Sequence, residues 1–256
     1  MAASSFQASH PRRGIALVGF DADDTLWHSE GYYHAAHAEF ERILSRYLDL
    51  ADAALHQRLL DTERRNLALF GYGAKGMTLS MIETAISMTQ ARIESTDIGK
   101  LVELGKGVLT HPVELLPDVR TAVEAVAASH RIVLITKGDL FHQEAKIAAS
   151  GLADLFARIE IVSDKTPAAY ARVIAECGET PERFAMIGNS LRSDIEPVLA
   201  LRGWGVHLPY PLLWALEAEH GVADDHERVL RIESAAQIPQ ALAHLDALAN
   251  ATPILS

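Results

Sequence analysis

The sequence of 256 residues predicts an α/β fold, a doubly wound parallel sheet with an inserted all-helical cap domain. Three observations predict it. Short apolar runs that suit buried strands alternate with amphipathic helical patterns. One long stretch after the first run carries only helical spacing. Polar residues follow most of the runs, at the edge where open parallel sheets bind their ligands.

Five apolar runs are the predicted strands. The first, GIALVGFD from Gly14, is bounded by turn-forming residues and suits a strand buried on both faces. The others are RIVLIT from Arg131, RIEIVS from Arg158, RFAMIG from Arg183 and GWGVHLP from Gly203. Because helical patterns separate these runs, we expect the strands to pair in parallel.

The helices between the strands carry start signals and apolar faces. Thr166 and Pro167 precede AAYARVIAEC, a favoured arrangement for the first turn of a helix. In VRTAVEAV, the side chains of Val119, Val123 and Val126 fall on one helical face. We expect that face to lie on the sheet.

The stretch from Ser29 to Thr110 is helical in pattern throughout. Its apolar residues keep spacings of three and four in two series: Tyr33, Ala36, Phe40, Ile43 and Tyr47, then Leu79, Ile82, Ile86, Thr89 and Ile93. We expect residues 29–110 to form a cap over the carboxyl edge of a core made of residues 14–28 and 111–246. Residues 1–13 and 247–256 are expected to be flexible.

Composition narrows the classes of partner. Hydrophobic residues make up 49% of the chain and the formal net charge is −11, with no cluster of basic and aromatic residues that would indicate nucleic-acid binding. No apolar run is long enough to span a membrane, and the N-terminus makes no convincing signal peptide. We therefore expect a cytoplasmic protein, a monomer or homodimer, that acts on a small molecule.

Polar residues at the ends of the predicted strands are the candidate site. They are Asp21 and Asp23 after the first run, Thr136, Lys137 and Gly138 after the second, Lys165 after the third, and Asn189 and Asp194 after the fourth. A carboxylate and a phosphate dianion repel each other, and Mg²⁺ held by oxygen ligands can neutralise their approach. The set therefore suits phosphate chemistry.

Each of these residue types has a role in such chemistry. Asp21 could attack phosphorus and form an aspartyl-phosphate. Asp23 could protonate the leaving oxygen and then deprotonate the water that hydrolyses the intermediate. Thr136 and Lys165 would hold the transferring oxygens and offset their charge.

The motifs resemble those of the haloacid dehalogenase superfamily. DADDT, from Asp21, matches its DxDx[TV] signature, Thr136 and Lys165 resemble its second and third motifs, and GNSLRSD, from Gly188, resembles its fourth. The resemblance covers a Rossmannoid core, and the insert resembles a C1-type helical cap. It implies a Mg²⁺-dependent phosphatase for a small phosphorylated metabolite, with metal ligands at Asp21, Asp23, Asn189 and Asp194.

Two features of the motifs refine this expectation. The dehalogenase and phosphonatase branches of the superfamily lack an acid two residues after the nucleophile, so Asp23 suits phosphate esters. The fourth motif commonly begins with Gly-Asp, whereas this chain has Gly188 and Asn189. With an amide in place of a carboxylate, we expect weaker metal binding and stronger attraction of phosphate.

Four further residues are candidates for substrate contact. Lys137 and Gly138 adjoin Thr136, and His28 follows the first motif. Lys75, in the glycine-rich break between Phe70 and Met77, could reach an anionic substrate from the cap. Asp24 is expected to belong to the turn.

Three other functions remain open on the sequence. A phosphomutase or phosphotransferase would use the same aspartyl-phosphate and shield it from water. A receiver-like phosphate-sensing module also combines Asp, Thr, Lys and Mg²⁺ on a parallel sheet, but it would not need the helical insert. A weakly active phosphate-binding protein is compatible with Asn189.

Overall fold

The computed structural model describes residues 14–49 and 53–251. The predicted flexible segment 1–13 lies outside these ranges, as do residues 252–256. In the described residues, six parallel strands form one sheet in the order β3-β2-β1-β4-β5-β6. Their bounds are β1 Leu17–Phe20, β2 Arg131–Lys137, β3 Arg158–Val162, β4 Phe184–Gly188, β5 Trp204–His207 and β6 Val229–Arg231. The doubly wound α/β fold is confirmed, and β6 is an edge strand of three residues, too short for a sequence pattern to reveal.

Helices cover both faces of the sheet. They are α5 Val119–Ala127, α6 Leu140–Ser150, α7 Pro167–Glu176, α8 Glu196–Ala200 and α9 Ile238–Ala251. Side chains alternate between the faces, as strand geometry requires. Val18 and Phe20 of β1 join the apolar cluster that includes α5 and α9, and Leu17 joins the cluster that includes α7. This burial on both sides is why the central strands read as unbroken apolar runs.

Of the helices between β1 and β2 in the described sequence, the first four lie apart from the sheet helices: α1 Glu30–Leu44, α2 Ala53–Phe70, α3 Ala74–Met88 and α4 Ser95–Thr110. They have a hydrophobic core of their own, in which Phe40, Ile43, Met81 and Leu101 are fully buried. The core strands and these helices therefore bury separate sets of apolar side chains. We refer to α1–α4 as the cap.

One predicted apolar face in the cap is wrong. Leu79 and Ile86 are 44% and 40% exposed, and α3 instead buries Met77, Met81 and Ala85. Apolar residues occur nearly all around this helix, so their spacing did not single out the inward face. The helix also ends at Met88, before the predicted Thr89 and Ile93.

The predicted flexible C-terminal segment is also wrong for residues 247–251. Helix α9 continues to Ala251, and Leu245 and Ala249 are buried against the core. Residues 252–256 lie outside the described ranges. No helix in the described part of the chain is long and apolar enough to cross a membrane.

Candidate active site

Asp21, Lys165 and Asp194 meet at the carboxyl edge of the sheet. Asp21 follows β1, which lies between β2 and β4, and its backbone N–H donates to the Ile187 carbonyl at 2.9 Å. The Lys165 ammonium donates to Asp21 Oδ1 and, at 2.6 Å, to Asp194 Oδ1. All three side chains are buried. The structure therefore brings together three predicted site residues from distant parts of the chain.

The charges in this cluster are unequal. Burial raises the pKa of Asp21 above its ordinary value, and the neighbouring Asp194 carboxylate raises it further, against the opposing effect of Lys165. Burial would lower the pKa of Lys165, but the Asp194 and Asp21 carboxylates outweigh it and raise that pKa well above its ordinary value. Lys165 therefore stays charged, and two carboxylates share one ammonium.

Gly188 and Ser190 position the Asp194 carboxylate. Asp194 lies in a single π-helical turn, Leu191–Ile195, and its Oδ2 accepts a hydrogen bond from the Ser190 backbone N–H at 3.0 Å. A Cβ atom at Gly188 would lie 2.1 Å from Asp194 Oδ2. The site needs glycine there because only glycine leaves room for the carboxylate.

Asn189 lies beside the nucleophile candidate. The Thr25 hydroxyl is 3.0 Å from Asp21 Oδ2 and 3.3 Å from Asn189 Oδ1. With Asp194, these groups form a set of oxygen donors. In the described ranges no three His, Cys, Asp or Glu side chains are grouped as a metal site. The donor set suits a hard cation such as Mg²⁺, which binds through one or two carboxylates and retains several waters.

Asp23 is held by groups that the sequence did not indicate. Lys146, on α6, donates to both carboxylate oxygens of Asp23 at 2.5 and 2.7 Å. Gln143 and Trp27 donate to the same carboxylate at 2.9 and 2.7 Å. Burial would raise the pKa of Asp23, but Lys146 and these hydrogen bonds hold it below its ordinary value. In this conformation Asp23 is an ionised, fully bonded carboxylate.

Thr136 and Lys137 end β2, and only Thr136 is free of an ion pair. The Thr136 hydroxyl is buried and accepts a hydrogen bond from Gln143 at 3.2 Å. Lys137 donates to Ser193 at 2.7 Å and to Glu217 at 2.5 Å. Its ammonium also lies 4.3 Å from the centre of the Tyr72 ring. Lys137 thus faces the site but is already paired with a carboxylate.

Asp24 precedes helix α1, and its side chain binds the first backbone N–H groups of that helix. Its carboxylate accepts hydrogen bonds from the backbone N–H groups of Ser29 at 2.8 Å and Glu30 at 3.0 Å. Its φ of 60° is in the left-handed region, which Asp tolerates better than most residues. Burial raises the pKa of Asp24 to about 7. This is the structural role expected for a residue of the turn.

A cavity of about 1130 Å³, its open mouth included, lies between the sheet edge and the cap. The predicted site residues Asp21, Asp23, Thr136, Lys137, Gly138, Lys165, Asn189 and Asp194 all line it. From the cap, the lining includes Glu30, Tyr33 and Glu63. The cap therefore supplies one wall of the space in which a substrate would sit.

The structure does not bring Lys75 or His28 into this cavity. Lys75 forms an ion pair with Asp139 at 2.8 Å, and its side chain is 52% exposed. His28 Nδ1 lies 2.7 Å from the Tyr210 hydroxyl, and His28 lines a separate, smaller crevice. Lys75 was expected to reach an anionic substrate from a glycine-rich break, but it lies in the first turn of α3, where Asp139 holds its ammonium.

Sequence reasoning missed Lys146, Gln143 and Glu217. Lys146 and Gln143 are three positions apart on α6, so they share a helical face, and both are buried. A lysine on the buried face of α6 was the sequence feature that could have indicated a partner carboxylate. Glu217 accepts hydrogen bonds from Ser190 and Ser193 at 2.5 Å each, but it follows a segment without periodicity, and nothing in the sequence marked it.

Fold and site together define a doubly wound α/β core whose carboxylates face a helical cap across the cavity. A family model described as haloacid dehalogenase-like hydrolase matches residues 15–200. The chain belongs to the haloacid dehalogenase-like hydrolases, and this confirms the resemblance carried by the four motifs.

Solved structures agree with this assignment. A haloacid dehalogenase-like family hydrolase from Xanthomonas campestris is 57% identical over 93% of this chain and 99% of its own, with a TM-score of 0.86. A 2-haloacid dehalogenase from Pseudomonas syringae pv. tomato DC3000 is 20% identical over 90% and 99%, with a TM-score of 0.59. A predicted phosphoglycolate phosphatase from Haemophilus somnus 129pt is 18% identical over 89% and 97%, with a TM-score of 0.58. The last two share the fold, and no curated protein gives a significant match.

Proposed function

We propose that this hydrolase is a Mg²⁺-dependent phosphatase that releases phosphate from a small phosphate monoester through an aspartyl-phosphate at Asp21. One observation carries the proposal: the buried Lys165 ammonium joins Asp21 to Asp194, with a second acid, Asp23, on the next turn of chain. This supplies a nucleophile, a charge-neutralising lysine and an acid/base in one cavity.

Asp21 attacks phosphorus with the carboxylate oxygen that faces the cavity. The phosphoryl oxygens gain negative charge in the transition state, and Lys165 together with the Thr136 hydroxyl offsets it. Because these groups are buried and fixed by their neighbours, little reorganisation is needed during the reaction. The ester bond then breaks, and the organic alcohol leaves with the proton that Asp23 donates.

Asp23 has to change its protonation state during the cycle. Its bonds to Lys146 and Gln143 favour the carboxylate, which suits the second step, in which it takes a proton from water as that water attacks the aspartyl-phosphate. In the first step it gives a proton to the leaving oxygen. Substrate binding would close the cap over the cavity. We propose that the Asp23 side chain then moves away from Lys146.

The residues at the site fit Mg²⁺. Asp21, Asn189, Asp194 and the backbone carbonyl of Asp23 would hold it. Two buried carboxylates with one ammonium leave an excess of negative charge, which a divalent cation would neutralise. When bound, Mg²⁺ would screen the phosphate from the carboxylates and orient the reacting oxygens.

The cap wall argues against a haloacid substrate. A 2-haloacid carries a carboxylate beside its reacting carbon, and burying that charge requires a cation or several hydrogen-bond donors. Among the described residues that line the cavity, the cationic Lys and Arg side chains are Lys137 and Lys165, and each is bound to a carboxylate. A halide leaves as an anion and needs no proton, so Asp23 would have no part as an acid in that step.

A release assay separates the functions. Purified protein with Mg²⁺ is screened for phosphate release from an aryl phosphate and a panel of small phosphate esters, and for halide release from 2-haloacids. We expect phosphate release that requires Mg²⁺ and is abolished in Asp21→Asn. Halide release without phosphate release would contradict the proposal, and transfer of the phosphoryl group to a second hydroxyl would indicate a phosphomutase.

A further inference from the structure

We propose that the cap selects a phosphate monoester whose organic part ends in an ammonium group. This inference rests on the proposed phosphatase function and assigns the substrate class of the same cavity. It follows from which charged side chains the cap presents to the substrate and which of them lack partners.

The cap half of the cavity carries acidic side chains and aromatic surface. Glu30, Tyr33 and His37 come from α1, Glu63 and Asn66 from α2, and Ser80 from α3. No lysine or arginine of the described cap residues lines the cavity. An ester whose far end bore a carboxylate or a second phosphate would therefore meet acids without a compensating cation.

Glu30 is the side chain best placed to hold a cation. Within the part of the chain described, the side chain that could pair with it is His34, whose Nε2 lies 3.7 Å from Oε1, beyond hydrogen-bond distance. The Glu30 side chain is 17% exposed, so water solvates it only in part. Burial, together with the nearby carboxylates of Asp24 and Glu63, raises its pKa to about 8. A bound ammonium would supply the missing partner.

The other groups complete a site for an ammonium. Glu63 is buried and already holds His37, with Oε1 3.1 Å from Nε2. Asn66 donates to Ser80 at 3.1 Å, so these polar groups are fixed before a ligand binds. Tyr33 adds aromatic surface to the lining, which attracts cations through the ring face. The phosphate end is held at Lys165, and the ammonium end is held in the cap.

The test compares esters that differ only in their far end. Linear alkyl monophosphates of two to four carbons, ending in ammonium, hydroxyl or carboxylate, are assayed with Mg²⁺ at neutral pH. We expect kcat/KM for the ammonium ester to exceed that for the hydroxyl ester by about tenfold, the equivalent of about 1.4 kcal/mol. We expect the carboxylate ester to be the poorest of the three.

Variants assign the preference to the cap. In Glu30→Gln the ratio of kcat/KM for ammonium over hydroxyl esters should fall to within about threefold of unity. Glu39→Gln, on the exposed side of the same helix, should keep the wild-type ratio, since Glu39 pairs with Arg42 at the surface and does not line the described cavity. Glu63→Gln is the second variant should Glu30→Gln fold poorly.

The outcomes distinguish the inference from the function on which it rests. Hydrolysis of the hydroxyl ester or an aryl phosphate with no preference for ammonium would overturn the inference and leave the phosphatase standing. An ammonium preference that survives both Glu30→Gln and Glu63→Gln would also overturn it. Failure of every ester, the aryl phosphate included, would overturn both.

Discussion

At Gly188, the missing side chain leaves room for the carboxylate of Asp194. A Cβ atom there would lie within 2.5 Å of the carboxylate and Cβ atoms of Asp194, so an alanine would push Asp194 out of reach of Lys165. Many glycines in sequence motifs are there to form a turn. Gly188 is instead required because the Asp194 side chain packs against its backbone, and only the folded structure shows this difference.

Gly188→Ala should therefore impair the site more than the fold. We expect kcat/KM for phosphate release to fall at least about 100-fold, the scale expected for a misplacement of about 1 Å. The free energy of unfolding should fall by about 1–3 kcal/mol through overpacking. Steady-state kinetics and urea denaturation measure the two effects. Gly107→Ala in α4 is the matched control, since nothing lies within 4 Å of an added Cβ atom.

Asn189 determines how tightly the site should hold its metal. Asn189→Asp adds a carboxylate beside Asp21, and we expect the Mg²⁺ concentration for half-maximal phosphate release to fall about tenfold, because ligand charge tunes affinity. We also expect KM for the phosphate ester to rise, since the added charge repels phosphate. An unchanged Mg²⁺ requirement in a folded variant would show that residue 189 is not a ligand.

Glu30 should make stability depend on pH. Its pKa is raised from 4.5 to about 8, so between these values the native state keeps a proton that the unfolded chain has lost. The stability contributed by this group is therefore present at low pH and is lost as pH rises toward 8. Relative to wild type, Glu30→Gln should gain about 2 kcal/mol between pH 5 and 8, measured by denaturant unfolding of metal-free protein. A constant difference across this range would contradict the assignment.

The residues that the sequence predicted are those whose role follows from a strand end. Asp21 and Thr136 lie at the ends of apolar runs, and Lys165 and Asp194 lie in the segments that follow the next two runs, so their meeting point follows from the topology of a parallel sheet. The role of Lys146 does not follow from a strand end, because it depends on α6 packing over Asp23. The pairing of Lys146 with Asp23 is decided by tertiary contacts that spacing alone cannot express.

At the scale of elements, the start of α1 depends on Asp24. Its carboxylate receives the N–H groups of Ser29 and Glu30, which would otherwise lack partners at the beginning of the helix. Helix α1 also carries Glu30 and Tyr33 into the cavity. The Asp24 carboxylate therefore helps to fix part of the proposed substrate wall. The third aspartate of the first motif thus supports the site from outside the chemistry.

Asp24→Ala should destabilise the protein, and Asp24→Asn should do so less. Loss of a capping side chain costs about 1–2 kcal/mol, and alanine also tolerates the left-handed backbone at this position poorly. Asparagine keeps an oxygen acceptor and favours the same backbone. Thermal and urea unfolding of the two variants give the order. Equal stability of Asp24→Ala and wild type would remove Asp24 from this role.

Strands were predicted better than helix faces for a physical reason. The central strands are buried on both faces, so they read as unbroken apolar runs. Each strand can therefore be predicted without knowing which residues face which side of the sheet. Helix α3 has apolar residues on most of its circumference, so the direction of the cap core could not be read from spacing. The edge strand β6 has only three residues and carries no detectable pattern.

At the scale of the whole molecule, the two halves divide the work. The sheet edge supplies the carboxylates, Thr136 and Lys165, and the cap supplies the wall that would face the organic part of the proposed substrate. The ion pair between Lys75 and Asp139, which lines the cavity, links the two halves. The motifs lie in the core, whereas the substrate preference proposed for the cap would depend on side chains from three helices.

The proposed reaction requires that Asp21 become phosphorylated during turnover. The most direct measurement is rapid mixing of enzyme, Mg²⁺ and a hydrolysed phosphate ester, followed by an acid quench and mass spectrometry of the proteolysed protein. We expect one added phosphoryl group on the peptide that contains Asp21. It should be present during turnover, absent without Mg²⁺ and absent in Asp21→Asn. Phosphate release at the wild-type rate from Asp21→Asn, or a phosphoryl group on another residue, would contradict it.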